Sequence, residues 1–559
     1  MRTPVLLRVA VAVTVIPLVV SAFALLLGQG DYVVIGDLAA TELITRDVGR
    51  HAIELGPYSR DGWHHPGPAL YYVLTVPYRL LGSTGAAIDV GALLVNAASV
   101  AGMAFIARRR GGTSLMLVTL VGCALLMRTM GPDDLRLPWN PYITVLPYAL
   151  LVFLTWAMTC RERWALPAAV AVASFTAQTH IGYVALALPL VVVGAAWLVA
   201  ATLRAAPRDG DDDEPAPGWR SLLVPGASAA AIGAVMWLPP VVEQLTNDPG
   251  NLTKAMRWFR DGGGQDEVTH DLVHGWRVVT SQFGLPPEWI FGERPLNMIG
   301  EPSYIDEAMA PVLLVLVTAA VYGLWRMRMA DAGRLVAVWL VASILGIVAT
   351  ARTVGLVYEY RLGWVRVLGM VAGVLVAWVG WRALVDWRGQ LERRVLVPVS
   401  IVALAVLAVV GSVAHLQAGR PQPQQSARLE GVIDDVVDSL PAGEGPVLVD
   451  GSGAFESAFY PAAMVLQLER HGIDARMRPG DDSAGEHRTH DGGAVRATLV
   501  IGTASQIAQL ETEDGLELIA YDGERPLDEV RADAAADVFI PGSTTLAVFL
   551  RTAPADAEV

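Results

Sequence analysis

Apolar runs approaching or exceeding about 18 residues, the length that spans a bilayer as a helix, recur through the first three quarters of the chain and then stop. They lie near residues 6–28, 84–107, 112–130, 142–160, 165–180, 183–203, 221–240, 308–325, 333–351, 364–385 and 395–415. Residues 416–427 are polar and proline-bearing, the composition of a linker. Beyond them, short β-type apolar runs (Val447–Val449, Thr498–Ile501, Leu516–Tyr521, Thr544–Leu550) alternate with a helical stretch, Ala454–Arg470. The pattern predicts an α-helical polytopic membrane protein of eleven transmembrane helices over 1–415 and a small α/β domain over 428–559.

Arginine placement orients the spans. With the N-terminus cytoplasmic, Arg108–Arg110, Arg161, Arg163, Arg204, Arg208, Arg220, Arg326, Arg328, Arg334, Arg388, Arg393 and Arg394 fall on inner loops, as the positive-inside rule requires. An odd number of crossings then leaves the C-terminal domain outside the cell membrane. Counting Pro66–Gly82 as a crossing would invert the pattern. That stretch is therefore an interfacial helix of the first outer loop, with Tyr71, Tyr72 and Tyr78 at headgroup depth. Ala22-Phe23-Ala24 resembles a signal-peptidase site, but the apolar core before it is long for a signal peptide.

Composition sharpens this picture in two places. The chain is 53% hydrophobic with a mean hydropathy of +0.44, too apolar for a soluble protein of 559 residues. From Pro421 onward there are 25 acidic and 9 basic residues, a net −16 against −14 for the whole chain. The acidity belongs to the C-terminal region and argues against nucleic-acid binding. Lys254 is the only lysine among 41 basic residues, the usage of a GC-rich bacterial genome, and two cysteines provide neither a disulfide framework nor a cysteine zinc site.

The chemistry-bearing residues gather beside spans on the outer side. Asp37 follows the first span, with Glu42 and Asp47 further along an amphipathic helix. A carboxylate in a partly dehydrated pocket gains basicity and can deprotonate an attacking hydroxyl; the alternative is a solvated acid at a helix start. Asp133 and Asp134 sit in a very short outer loop and offer a second carboxylate, or an ordinary polar turn. His64 and His65, preceding Pro66, point to opposite sides and suit substrate contact rather than joint metal ligation. Glu243 leaves the seventh span. Tyr358, Arg361 and Arg366 lie between the ninth and tenth spans. Guanidinium forks there suit phosphate oxygens; the alternative is a salt bridge to Glu359.

This layout resembles the GT-C superfamily of integral-membrane glycosyltransferases, nearest to bacterial relatives of protein O-mannosyltransferases and aminoarabinose transferases. The matching residues are Gly36-Asp37, then His65-Pro66-Gly67-Pro68-Ala69-Leu70-Tyr71-Tyr72, Arg108–Arg110, Asp133-Asp134 and Trp139-Asn140-Pro141. The resemblance covers residues 1–415. It implies transfer of a sugar from a polyprenyl-phosphate donor to an acceptor outside the membrane, with inversion; a cell-envelope glycan or protein is the expected acceptor, and no cofactor is expected. It also implies Asp37 as the base, with Asp133 or Asp134 as a second acid. No metal is required by the residues seen. A lipid transporter or flippase is the main rival; it would call for related halves and midplane charges, whereas the ionisable residues gather at the outer surface. A non-catalytic envelope protein, with the acidic tail binding a partner, is the third reading.

Overall fold

The computed structural model describes residues 3–28, 32–59, 61–204, 218–263, 269–284, 288–291, 312–388, 395–451, 459–535 and 545–552. The acidic run Asp209–Glu214 and the first residues of the predicted Ala454–Arg470 helix lie outside them. The chain forms two compact units. One comprises Met1–Ala24, Glu54–Leu70 and Val90–Ala418; the other comprises Leu25–Ile53, Tyr71–Asp89 and Gly419–Val559.

The first unit is helical. Helices cover the described parts of every predicted span, and eight helical segments among the described residues are long and apolar enough to cross a membrane. Gly85–Arg136 covers two predicted spans, because Gly112 breaks it with φ 75° and ψ −163°. A side chain is rarely tolerated at such a positive φ. Near this break Arg109 and Arg110 each reach Glu162 Oε1 at 2.7 Å, and Arg110 lies 3.6 Å from Asp331, itself paired with Arg334 at 2.6 Å. Three of the predicted inner loops therefore meet at one end of the bundle. The helices Val145–Thr159, Ala165–Thr179, Val184–Leu203 and Leu223–Thr246 pack in succession. Fully buried Trp156 donates its indole N–H to the Asp331 carbonyl at 2.7 Å.

The second unit holds a five-stranded sheet. Its order is Ala475–Met477, Val447–Asp450, Ala497–Gly502, Thr545–Thr552, Glu517–Gly523. The first three strands are parallel, and Thr545–Thr552 runs antiparallel to both its neighbours. Central strands covered on both faces read as continuous apolar runs, which is why LVIG and TLAVFL are almost wholly buried. Val500, Ile507, Val530 and Phe549 form a core on one side. Beyond the strand Ala475–Met477, which no apolar run marked, two elements differ from the sequence expectation. Residues 423–427 begin the helix Pro423–Ser439 instead of completing a linker, with Pro423 at a position where a helix tolerates it. The helix Ala69–Leu80 forms as expected, but Tyr71 and Tyr78 are buried in protein, 1% and 2% exposed, and not at headgroup depth. Only Tyr72 is exposed, its hydroxyl donating to the Ile53 carbonyl at 2.6 Å.

Candidate active site

In the first unit, candidate residues converge at the end of the bundle opposite the Arg109–Glu162 cluster. The helix beginning at Gly131 (φ 79°) carries Asp133 and Asp134 in its last turn, so they sit on helix and not on a free loop. Arg136, 2% exposed, donates to Asp133 Oδ1 at 2.7 and 3.0 Å. Asp134 accepts from Arg366 at 3.3 Å, and Glu359 lies 3.5 Å from the same guanidinium. Arg366 is therefore buried between two carboxylates.

Arg361 has different surroundings. Among the described residues it has no carboxylate within 4.0 Å, and its guanidinium lies over Tyr358 (5.3 Å) and Tyr360 (5.7 Å), which stack on each other. Trp139 packs against Tyr360 at 5.0 Å. The charge of Arg361 also acts on His65.

The two histidines go to separate partners, as their X-Pro context predicts. His64 places Nδ1 3.2 Å from the Gly56 carbonyl. Its backbone N–H and C=O pair with the Asn251 side chain at 2.7 and 2.8 Å. His65 accepts the Ile181 N–H on Nδ1 at 3.1 Å and stacks on His180 at 4.8 Å. Burial, followed by the charges of His180, His64 and Arg361, pushes its pKa well below the ordinary histidine value. The ring is then neutral, and with Nδ1 accepting, the proton sits on Nε2 as a donor. Glu243 serves a structural end: its carboxylate accepts the Asn251 N–H at 2.9 and 3.0 Å, at the start of the helix Asn251–Arg260. A carboxylate at a helix N-terminus satisfies an otherwise orphan donor.

In the second unit, Asp37 opens the helix Asp37–Asp47. Gly36 precedes it with φ 59° and ψ −133°, and the Gly36 N–H donates to the Phe459 carbonyl at 2.8 Å. The Asp37 side chain is exposed, so the partly dehydrated pocket expected from sequence is not supplied by the chain itself.

Glu42 and Asp47 have partners inside the fold. Glu42, fully buried, accepts from Arg470 at 2.5 Å and from Tyr78 at 2.9 Å. Burial dominates its balance and raises its pKa despite these partners. Asp47 is held by Arg488 through both terminal guanidinium nitrogens, one bond at 2.9 Å, while Arg488 Nε grips Glu469 at 2.6 Å. Burial pushes the Asp47 carboxyl up, but hydrogen bonds from His487 and Arg488 outweigh it and hold the pKa at about 2. Arg470, His487 and Arg488 carry no sequence signal for this role beyond being bases in an acidic region.

Asp47, His51 and His487 bring potential ligand atoms within 4.8 Å of one another. The two rings, however, stack with centroids 3.9 Å apart and planes 12° apart. Parallel imidazoles cannot both aim in-plane lone pairs at one ion, and Asp47 is already bound by Arg488.

No protein-family model matches the chain, and no curated protein matches it. Solved structures do. ArnT from Cupriavidus metallidurans bound to undecaprenyl phosphate aligns over 98% of this chain and 97% of its own, at TM-score 0.51 and 12% identity. Its apo form gives the same coverage at TM-score 0.49 and 13% identity. The archaeal oligosaccharyltransferase AglB from Archaeoglobus fulgidus, in complex with an inhibitory peptide and a dolichol-phosphate, aligns over 89% of this chain and 69% of its own, at TM-score 0.40 and 11% identity. ArnT, an aminoarabinose transferase, and AglB are membrane glycosyltransferases of the GT-C fold. The alignment with ArnT over nearly the whole of both chains gives this multi-pass membrane protein that fold.

Proposed function

We propose that this chain is a glycosyltransferase of the cell membrane, moving a sugar from a polyprenyl-phosphate carrier to a cell-envelope glycan or protein acceptor on the outer side. The observation that supports the proposal is the alignment over nearly the whole of both chains with ArnT, a protein solved with undecaprenyl phosphate. The N-terminus is cytoplasmic and the C-terminal region extracytoplasmic in this reading, with the Arg109–Glu162 end of the bundle facing inward.

A sugar phosphate carries its own leaving group, so the enzyme positions the reactants, takes a proton and neutralises charge. Asp37 is the base. Its ionised carboxylate accepts the proton of the acceptor hydroxyl as that oxygen attacks the anomeric carbon from the face opposite the phosphate, inverting it. Because the side chain is exposed, dehydration around it comes from bound donor and acceptor. Arg361, with no carboxylate competing for it among the described residues, binds the departing lipid phosphate. His65 donates from Nε2 to a phosphate or sugar oxygen. Arg366 is already balanced by Asp134 and Glu359, which suits holding that segment in place. Asp133 and Asp134 are the second-acid candidates. The sugar and the acceptor follow from features the fold does not dictate.

The test is Asp37→Asn in purified, membrane-inserted protein given labelled undecaprenyl-phosphate sugars. Loss of label from the lipid is expected to slow by about 10²–10⁴-fold, the usual worth of a general base, with donor binding retained. Normal turnover by that variant refutes the assignment.

A further inference from the structure

The helix Asp37–Asp47 is held by residues from the far end of the sequence. At its start, the Gly36 N–H bonds the Phe459 carbonyl at 2.8 Å. In its middle, Glu42 meets Arg470 at 2.5 Å; in its last turn, Arg46 pairs with Glu469 and Asp47 with Arg488. Arg470 and Glu469 end the helix Pro461–Arg470, and Arg488 bridges from Glu469 back to Asp47. The side chains of Arg488 and Asp47 are each 4% exposed, and Glu42 is 0% exposed.

The geometry around the helix axis gives these pairs a direction. At about 100° per residue, Glu42, Arg46 and Asp47 point about 140°, 180° and 280° around from Asp37. The pairs of Glu42 and Arg46 therefore lie away from the Asp37 side and that of Asp47 about 80° round from it the other way, so anchors along and around the helix fix its tilt and rotation. Buried charges of this kind are strongly unfavourable once a partner is removed, so each pair has one low-energy arrangement.

We infer that Arg470 and Arg488 are positioning residues: the C-terminal region clamps the helix Asp37–Asp47 and sets the aim of the Asp37 carboxylate. The inference rests on Asp37 being the base, and it gives the C-terminal region a part in turnover distinct from binding an acceptor.

Arg488→Met in the full-length, nanodisc-held protein tests it, with hydrogen exchange and turnover of labelled undecaprenyl-phosphate sugars measured together. Amides of residues 41–47 are expected to exchange faster while those of strands Ala497–Gly502 and Thr545–Thr552 stay protected. Turnover kcat is expected to fall about 10–100-fold, the cost of a misaimed group, with donor KM within about two-fold. Arg470→Gln, read the same way, replaces Arg488→Met if the sheet amides open as well. Unchanged exchange at 41–47, or faster exchange with unchanged kcat, overturns the inference. So does a loss carried equally by donor KM. Asp37→Asn measured alongside separates the two ideas. If it is inactive while both arginine variants keep full kcat, the clamp fails alone. If it turns over normally, the base assignment fails, and the positioning role with it.

Discussion

Arg361 and Arg366 stand on one segment yet are electrostatically opposite. Arg366 is buried between Asp134 and Glu359, whereas Arg361 rests on two tyrosine faces. Sequence marked both as outer-side arginines but carried no information on which of them a carboxylate would neutralise. An Arg361→Ala variant is expected to raise donor KM about 10–100-fold, the effect of losing about 1.5–3 kcal/mol of charged hydrogen bonding, with a smaller change in kcat. Arg361→Lys is expected to recover only part, since an ammonium lacks the planar fork. Donor titration of both variants checks this. The helix Asp37–Asp47 was legible because Asp37, Glu42 and Asp47 recur at helical spacing just beyond a span. The inward turn of Glu42 was not, because its partner Arg470 lies 428 residues away.

At the scale of elements, polar side chains decide how the segment Glu54–Leu70 is held. Asn251 spans the His64 backbone with two hydrogen bonds, and Glu243 holds Asn251 in turn. Asn251→Ala leaves the buried His64 N–H and C=O without that side chain and is expected to destabilise the unit by about 2–6 kcal/mol, at about 1–3 kcal/mol per unsatisfied group. A lower thermal midpoint for Asn251→Ala checks it. The spans were legible because hydrocarbon thickness imposes length and apolarity at once. The strand Ala475–Met477 was not, since three residues with Arg476 at the centre show no apolar run. Pro423 hid the helix Pro423–Ser439 by reading as a linker residue when it stands at the helix start. The tyrosines of Ala69–Leu80 read as interfacial because their aromatic character suits headgroups and a protein interior equally.

For the whole molecule, the charge asymmetry visible in sequence becomes a pH dependence of the second unit. Asp47 is held at about 2 against an ordinary 3.8, so its stabilisation, of order 2 kcal/mol, is present above 3.8 and lost as pH falls toward 2. His51 is depressed from 6.5 by burial and by the neighbouring His487 charge, so its contribution is present above 6.5 and fades below it. Glu42, raised by burial, works in the opposite sense. Limited proteolysis of the region Gly419–Val559 is expected to accelerate on acidification, and Asp47→Asn to remove the step between 3.8 and 2. The division into two units was only half legible: the C-terminal sheet announced itself, but the recruitment of Leu25–Ile53 and Tyr71–Asp89 did not. That recruitment puts a clock on biogenesis. Glu42 leaves the ribosome 428 residues ahead of Arg470, an interval of about 20–90 s at roughly 5–20 residues per second. For that long the nascent helix waits with the acid of Glu42 lacking its Arg470 partner.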